Sequence, residues 1–157
     1  MKKLILTIIL GAVSFSSCSF ETPESPAIKM ESCTVNGESV SLPLPSVKAG
    51  DVVELTLDLE GNGSELQTFQ ADADADDVKM SLTDYDKSRV TDDKNFTNID
   101  ECLLRFVDGV TISSVKVKAT VQQKNDAKMC MKFYLSAKSA SEGTALEIDM
   151  NRDNIKN

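Results

Sequence analysis

The ten residues from Asp51 to Glu60, DVVELTLDLE, place Val53, Leu55, Leu57 and Leu59 in strict alternation with Glu54, Thr56, Asp58 and Glu60. Successive side chains of an extended chain point to opposite faces, so this spacing makes a strand with one dry face and one wet face. A helix would scatter the same four apolar residues around its axis. A half-buried strand needs sheet neighbours and a second layer to cover its apolar side, which directs the chain toward packed antiparallel sheets.

Other segments repeat the pattern. Met129, Met131, Phe133 and Leu135 share one parity, with Cys130, Lys132 and Tyr134 on the other; Ser141-Glu142-Gly143 supplies a turn, and Ala145 to Met150 returns. Gly61-Asn62-Gly63 ends the first strand, because both residue types tolerate the positive φ of tight turns. In CLLRFVDGVTISSVKVKATV, Asp108-Gly109 between two apolar runs predicts a hairpin with a two-residue type I′ turn. Val110 and Ile112 there differ in parity from Val115, Val117, Ala119 and Val121, and a bulge near Ser113-Ser114 would bring them to one buried face. Further strands are expected over 28–35, 39–42, 66–70 and 78–82, with a polar loop and a short helical turn between Lys87 and Ile99. Eight or nine short strands without a helical period predict an all-β fold, an antiparallel β-sandwich with immunoglobulin-like Greek-key order; a small barrel is the alternative.

The chain begins differently. Lys2 and Lys3 precede 12 apolar-rich residues, Leu4 to Phe15, followed by Ser16, Ser17 and Cys18. A charged start, a short apolar stretch and small residues form the order of a secretory signal peptide, and the stretch is too short to span a bilayer. The tetrapeptide Phe15-Ser16-Ser17-Cys18 resembles the lipobox of bacterial lipoproteins. That resemblance implies that residues 1–17 are removed and that Cys18 becomes an N-terminus carrying a thioether-linked diacylglycerol. Two or more acyl chains hold a protein stably on a bilayer where one chain does so only marginally. Residues 18–27, with Pro23 and Pro26 among Glu21 and Glu24, read as an extended tether. Residues 28–151 read as the sandwich domain and 152–157 as a tail. The chain as a whole resembles the small uncharacterised lipoproteins of the Bacteroidota, which implies an outer-membrane anchor facing the periplasm or the cell surface.

Without residues 1–17 the chain has 15 basic and 25 acidic side chains, a formal −10. Such a charge repels nucleic acid, which is excluded as a partner. With Cys18 acylated, Cys33, Cys102 and Cys130 are an odd set, so at most one internal disulfide forms, and spacing does not choose the pair. Asp72, Asp74 and Asp76 alternate as calcium-binding aspartates do. Counted as an EF-hand from Asp72, however, the loop has Asp77 in place of the glycine and Thr83 in place of the closing glutamate. Calcium at Asp72, Asp74 and Asp76 is therefore one expectation, and a solvated acidic turn blunting a sheet edge is the other.

Chemistry is poorly represented. There is no histidine, the commonest general base, no G-x-S-x-G elbow and no glycine-rich phosphate loop. No catalytic residue and no cofactor are expected. Two non-enzymatic roles remain: an interaction or assembly module for an envelope or host protein, and a glycan-binding accessory lipoprotein of a polysaccharide-uptake system. Sugar platforms use exposed rings, and the chain has no tryptophan; by parity Phe106 and Phe133 belong to the core. The interaction module is the preferred reading, and Tyr134 is the ring on which a glycan reading would depend.

Overall fold

The computed structural model describes residues 24–73, 76–123 and 129–150. Among these residues lie nine strands: β1 Ala27–Val35, β2 Glu38–Ser39, β3 Val52–Glu60, β4 Leu66–Ala73, β5 Val78–Tyr85, β6 Leu103–Arg105, β7 Ile112–Val121, β8 Cys130–Ala137 and β9 Thr144–Asp149. A single 3-10 turn, Lys87–Arg89, follows β5 and is capped by Asp86, which accepts from the Ser88 N–H. Every pairing is antiparallel. One sheet has the order β2-β1-β3-β7-β5 and the other β6-β4-β8-β9.

Leaving aside the short edge pieces β2 and β6, the seven remaining strands can be lettered A to G in chain order. The first sheet is then A-B-E-D and the second C-F-G, the partition of an immunoglobulin constant-type sandwich. The expected fold is the observed one, and β6 adds an edge strand beside β4.

The alternation in the sequence maps directly onto the core. Val53, Leu55, Leu57 and Leu59 of β3 and Val115, Val117, Ala119 and Val121 of β7 are buried on the inner face of one sheet. Phe69, Met131, Phe133, Leu135 and Ile148 oppose them from the other. Phe69 and Phe133 stack with ring centroids 6.4 Å apart, an offset arrangement that adds to their burial. Leu44 and Val47, in the long β2–β3 connection, are buried as well. At the β3 end, Asn62 and Gly63 take φ of 48° and 86° as the turn chemistry requires. Gly61 is needed for space, since a Cβ there would lie 1.9 Å from the Ser64 carbonyl oxygen.

Two expectations about the segment 102–121 fail. Asp108-Gly109 does not close a hairpin: β6 pairs with β4 in one sheet and β7 with β3 and β5 in the other, so this turn carries the chain across the sandwich. Only Gly109 has positive φ there, whereas a type I′ turn needs it at both central residues. Nor is there a bulge at Ser113-Ser114. Pairing with β3 runs unbroken from Val52↔Thr120 to Glu60↔Ile112, and this carries the parity of Val115 to the strand's first residue. Ser113 consequently faces inward at 8 % exposure and Ile112 outward at 59 %. The irregularity sits on the partner strand, between Leu82 and Asp84 of β5. The strand expected over 39–42 is also shorter, ending at Ser39, and β1 already begins at Ala27 behind a buried Pro26.

Candidate binding face

The two outer faces of the sandwich differ in charge. On the five-stranded sheet, Glu54, Asp58 and Glu60 of β3 lie beside Lys116 and Lys118 of β7 and Lys29 of β1. Lys29 Nζ meets Glu60 at 2.7 Å and Lys116 Nζ meets Asp84 at 3.5 Å. Exposed pairs of this kind contribute little to stability, and a partner covering them must strip water from each charge.

The four-stranded sheet carries a different surface at its centre. The register aligns Leu103, Gln70, Tyr134 and Ala145 in one row and Arg105, Thr68 and Ser136 in the next. Tyr134 is 41 % exposed. The Thr68 and Ser136 hydroxyls share a hydrogen bond of 2.6 Å, which joins β4 to β8 beside the ring. A shallow groove of about 310 Å³ runs here, lined by Thr68, Gln70, Tyr134, Ser136, Thr144 and Ala145. None of those six side chains is charged. Charge begins only at the margins, with Arg105 on one side and Asp72, Lys132 and Glu147 on the other. Lys132 faces Glu147 at 3.7 Å, and that carboxylate, followed by Tyr134 and Cys130, raises the lysine's pKa above its ordinary value.

An exposed tyrosine ringed by uncharged hydrogen-bonding side chains, with charges at the rim, is the arrangement that proteins use for recognition. The ring offers apolar area with few rotatable bonds, and its neighbours present adaptable donors and acceptors. Two other recesses are more polar. One of about 440 Å³ between β4 and β5 is lined by Asp72, Lys79, Asp100, Glu101 and Cys102 among others. Another of about 390 Å³ lies around Arg89, whose guanidinium is engaged by Asp86 at 3.1 Å and by the Ile112 carbonyl at 2.6 Å.

Cys18 and Asp74 lie outside the described residues. Asp72 is exposed on β4 and Asp76 is exposed in the turn before β5. Among the described residues no group of three His, Cys, Asp or Glu side chains is placed to hold a metal ion. Asp77 is buried at 3 % exposure, and its backbone carbonyl accepts from Gln122 N–H at 2.7 Å, tying the β4–β5 turn to the end of β7. Cys33, Cys102 and Cys130 are free thiols. Burial raises the pKa of Cys33, and of Cys102 against a small opposing contribution from the Leu82 N–H. Neither is poised to act as a nucleophile, since the thiolate is the reactive form. Tyr134 was legible as an outward residue from its parity. Its neutral surroundings were legible only in part: Ala145 lies on the strand that returns after Ser141-Glu142-Gly143, but Gln70 and Thr68 come from β4, whose pairing with β8 no local pattern reveals.

The family of domains of unknown function designated DUF5035 matches residues 18–152. The chain belongs to the DUF5035 family. No curated protein matches it. The DUF5035 match thus takes in all nine strands and the whole Tyr134 face, and it starts at Cys18.

Proposed function

We propose that this DUF5035 protein is a lipid-anchored, non-enzymatic module of the cell envelope that holds another protein against the Tyr134 face of its four-stranded sheet. The observation that carries the reading is the contrast between the faces: one laced with charge, the other uncharged around a single exposed ring. Residues buried at the centre of a protein interface are depleted in charge and enriched in tyrosine, and a few such residues supply most of the affinity. The anchor is read from Cys18 after the apolar leader, and the start of the family match at that residue supports a boundary there. The outer membrane, with the domain in the periplasm or at the cell surface, is the site this reading assigns.

The experiment is photo-crosslinking in cells that express the full chain, with the probe at Tyr134 or, as a control, at Lys118 on the charged face. A discrete protein adduct at Tyr134 and none at Lys118 is expected. Adducts only at Lys118 would overturn the assignment of the face. For an identified partner, Tyr134→Ala is expected to weaken binding by at least about 30-fold, the effect of losing roughly 2 kcal/mol. The anchor is tested separately, by the mass of the mature N-terminus: a diacylated Cys18 is expected, and an unmodified terminus at another residue would remove the lipoprotein assignment.

Glycan binding is the second reading, favoured by the hydrogen-bonding groove beside the Tyr134 ring. The other exposed aromatic among the described residues, Phe96, lies in the β5–β6 connection and not in that groove. Binding on a glycan array that is abolished by Tyr134→Ala would establish this role in place of the first.

A further inference from the structure

We infer that one end of the sandwich, the end bearing Val107 and Ile112, rests directly on the lipid bilayer. The inference builds on the reading of Cys18 as the lipid anchor. It starts from where the chain enters the fold: Ser25 is fastened by its carbonyl to Asn62 Nδ2 at 2.8 Å, and Ala27 pairs with Glu60, which pairs in turn with Ile112. Cys18 is seven residues ahead of Ser25, so even a fully extended chain places the anchor within about 25 Å of that point. β3 alone, at nine residues, is about 30 Å long. The anchor therefore reaches the lipid from the Ser25 end far more readily than from the end that bears Asn36, Gly37 and Asp76.

The same end displays the apolar side chains that a bilayer would cover. Ile112, 59 % exposed, is the most exposed large apolar residue among those described, and Val107 is exposed on the adjoining crossover. Both are held near Arg89: its guanidinium takes the Ile112 carbonyl, and its own carbonyl accepts from the Val107 N–H at 3.0 Å. Three carboxylates at this end are paired with cations. Lys138 binds both Glu65 and Asp108, and Lys29 binds Glu60. A lipid surface, reached through headgroups by two aliphatic side chains, is thus the partner that fits the entry point and the exposure together. The Tyr134 face then stands beside the membrane, where a neighbouring protein can reach it.

The test uses the full-length acylated protein, isotopically labelled, in phosphatidylcholine nanodiscs containing a gadolinium-chelating lipid headgroup. Paramagnetic loss of amide signal is expected to be greatest at Gly61–Ser64 and Val107–Ile112 and smallest at Gly37–Glu38 and Asp76–Asp77. Equal loss at both ends, or the reverse gradient, with Cys18 acylated by mass, would overturn the inference and leave the anchor standing. Absence of the acyl group in the same sample would remove the anchor and the inference with it. The double variant Val107→Ser with Ile112→Ser, still acylated, is expected to lose most of the gradient. An unchanged gradient would show that the tether alone orients the domain and would refute the lipid contact.

Discussion

Replacing Val117 and Ile112 by alanine, one at a time, measures whether the parity of β7 runs unbroken. Val117 is fully buried and Ile112 is 59 % exposed, although both belong to the same apolar-rich stretch. Removing two methyl groups from Val117 forfeits about 1.6 kcal/mol of transfer free energy, and the cavity left behind brings the cost to about 2 to 3 kcal/mol. Ile112→Ala removes three carbons of which roughly two-fifths of the surface is buried, with no closed cavity, so its cost stays below about 1 kcal/mol. In urea, with a slope of about 1.5 kcal/mol per molar, the midpoint should fall by about 1.3 to 2 M for Val117→Ala and by less than about 0.7 M for Ile112→Ala. An equal fall for both would mean that Ile112 is buried and that a bulge at Ser113-Ser114 returns it to the core, contrary to the pairing described above. The outcome also bears on the lipid contact, because it establishes that Ile112 can be changed without unfolding the domain.

Asp51, 8 % exposed, accepts from Asn36 Nδ2 and from the Lys48 N–H, each at 2.9 Å, and these bonds, that of Asn36 foremost, hold its pKa below the ordinary 3.8. A depressed carboxylate stabilises the fold above its unfolded pKa and loses that contribution as pH falls through its folded value. Asp51→Ala should therefore cost about 1 to 3 kcal/mol at pH 7, and the gap to the parent should close in acid; a gap constant down to pH 2 would refute the bond's role. Lys138 lowers the pKa of Glu65 and Asp108 while its own is raised above 10.5, so Lys138→Met should reduce Tm at neutral pH, with the difference shrinking both in acid and at high alkalinity. A Tm difference independent of pH would show that lost packing, not charge, is responsible. On brief alkylation of the folded protein, mass spectrometry should find Cys130 modified first, with Cys33 and Cys102 protected until urea is added; equal rates would contradict their burial.

Much of the architecture could be read without coordinates. The alternation in DVVELTLDLE and in MCMKFYL depends only on the two-residue period of an extended chain, so the buried and wet faces of β3 and β8 follow from local chemistry. The turn at Gly61–Gly63 follows for the same reason, as does the outward placement of Tyr134. The short apolar stretch before Cys18 and the acidic charge of the remainder are likewise properties of composition and order.

What the sequence by itself determined was therefore which side of each strong strand is dry, that two layers must meet, and that no familiar catalytic constellation is written along the chain. Beyond the β8–β9 hairpin, pairing was decided only in three dimensions. Whether Asp108-Gly109 returns the chain to the same sheet or carries it to the opposite one depends on which strands β6 and β7 join, and that is settled by β4 and β3, more than thirty residues away. The same long-range pairing holds Ile112 outside and Ser113 inside against the local apolar preference, and it brings Gln70 and Thr68 beside Tyr134. Side-chain direction is a local property of an extended backbone, but neighbourhood is a property of the sheet, and both candidate surfaces of this protein are neighbourhoods.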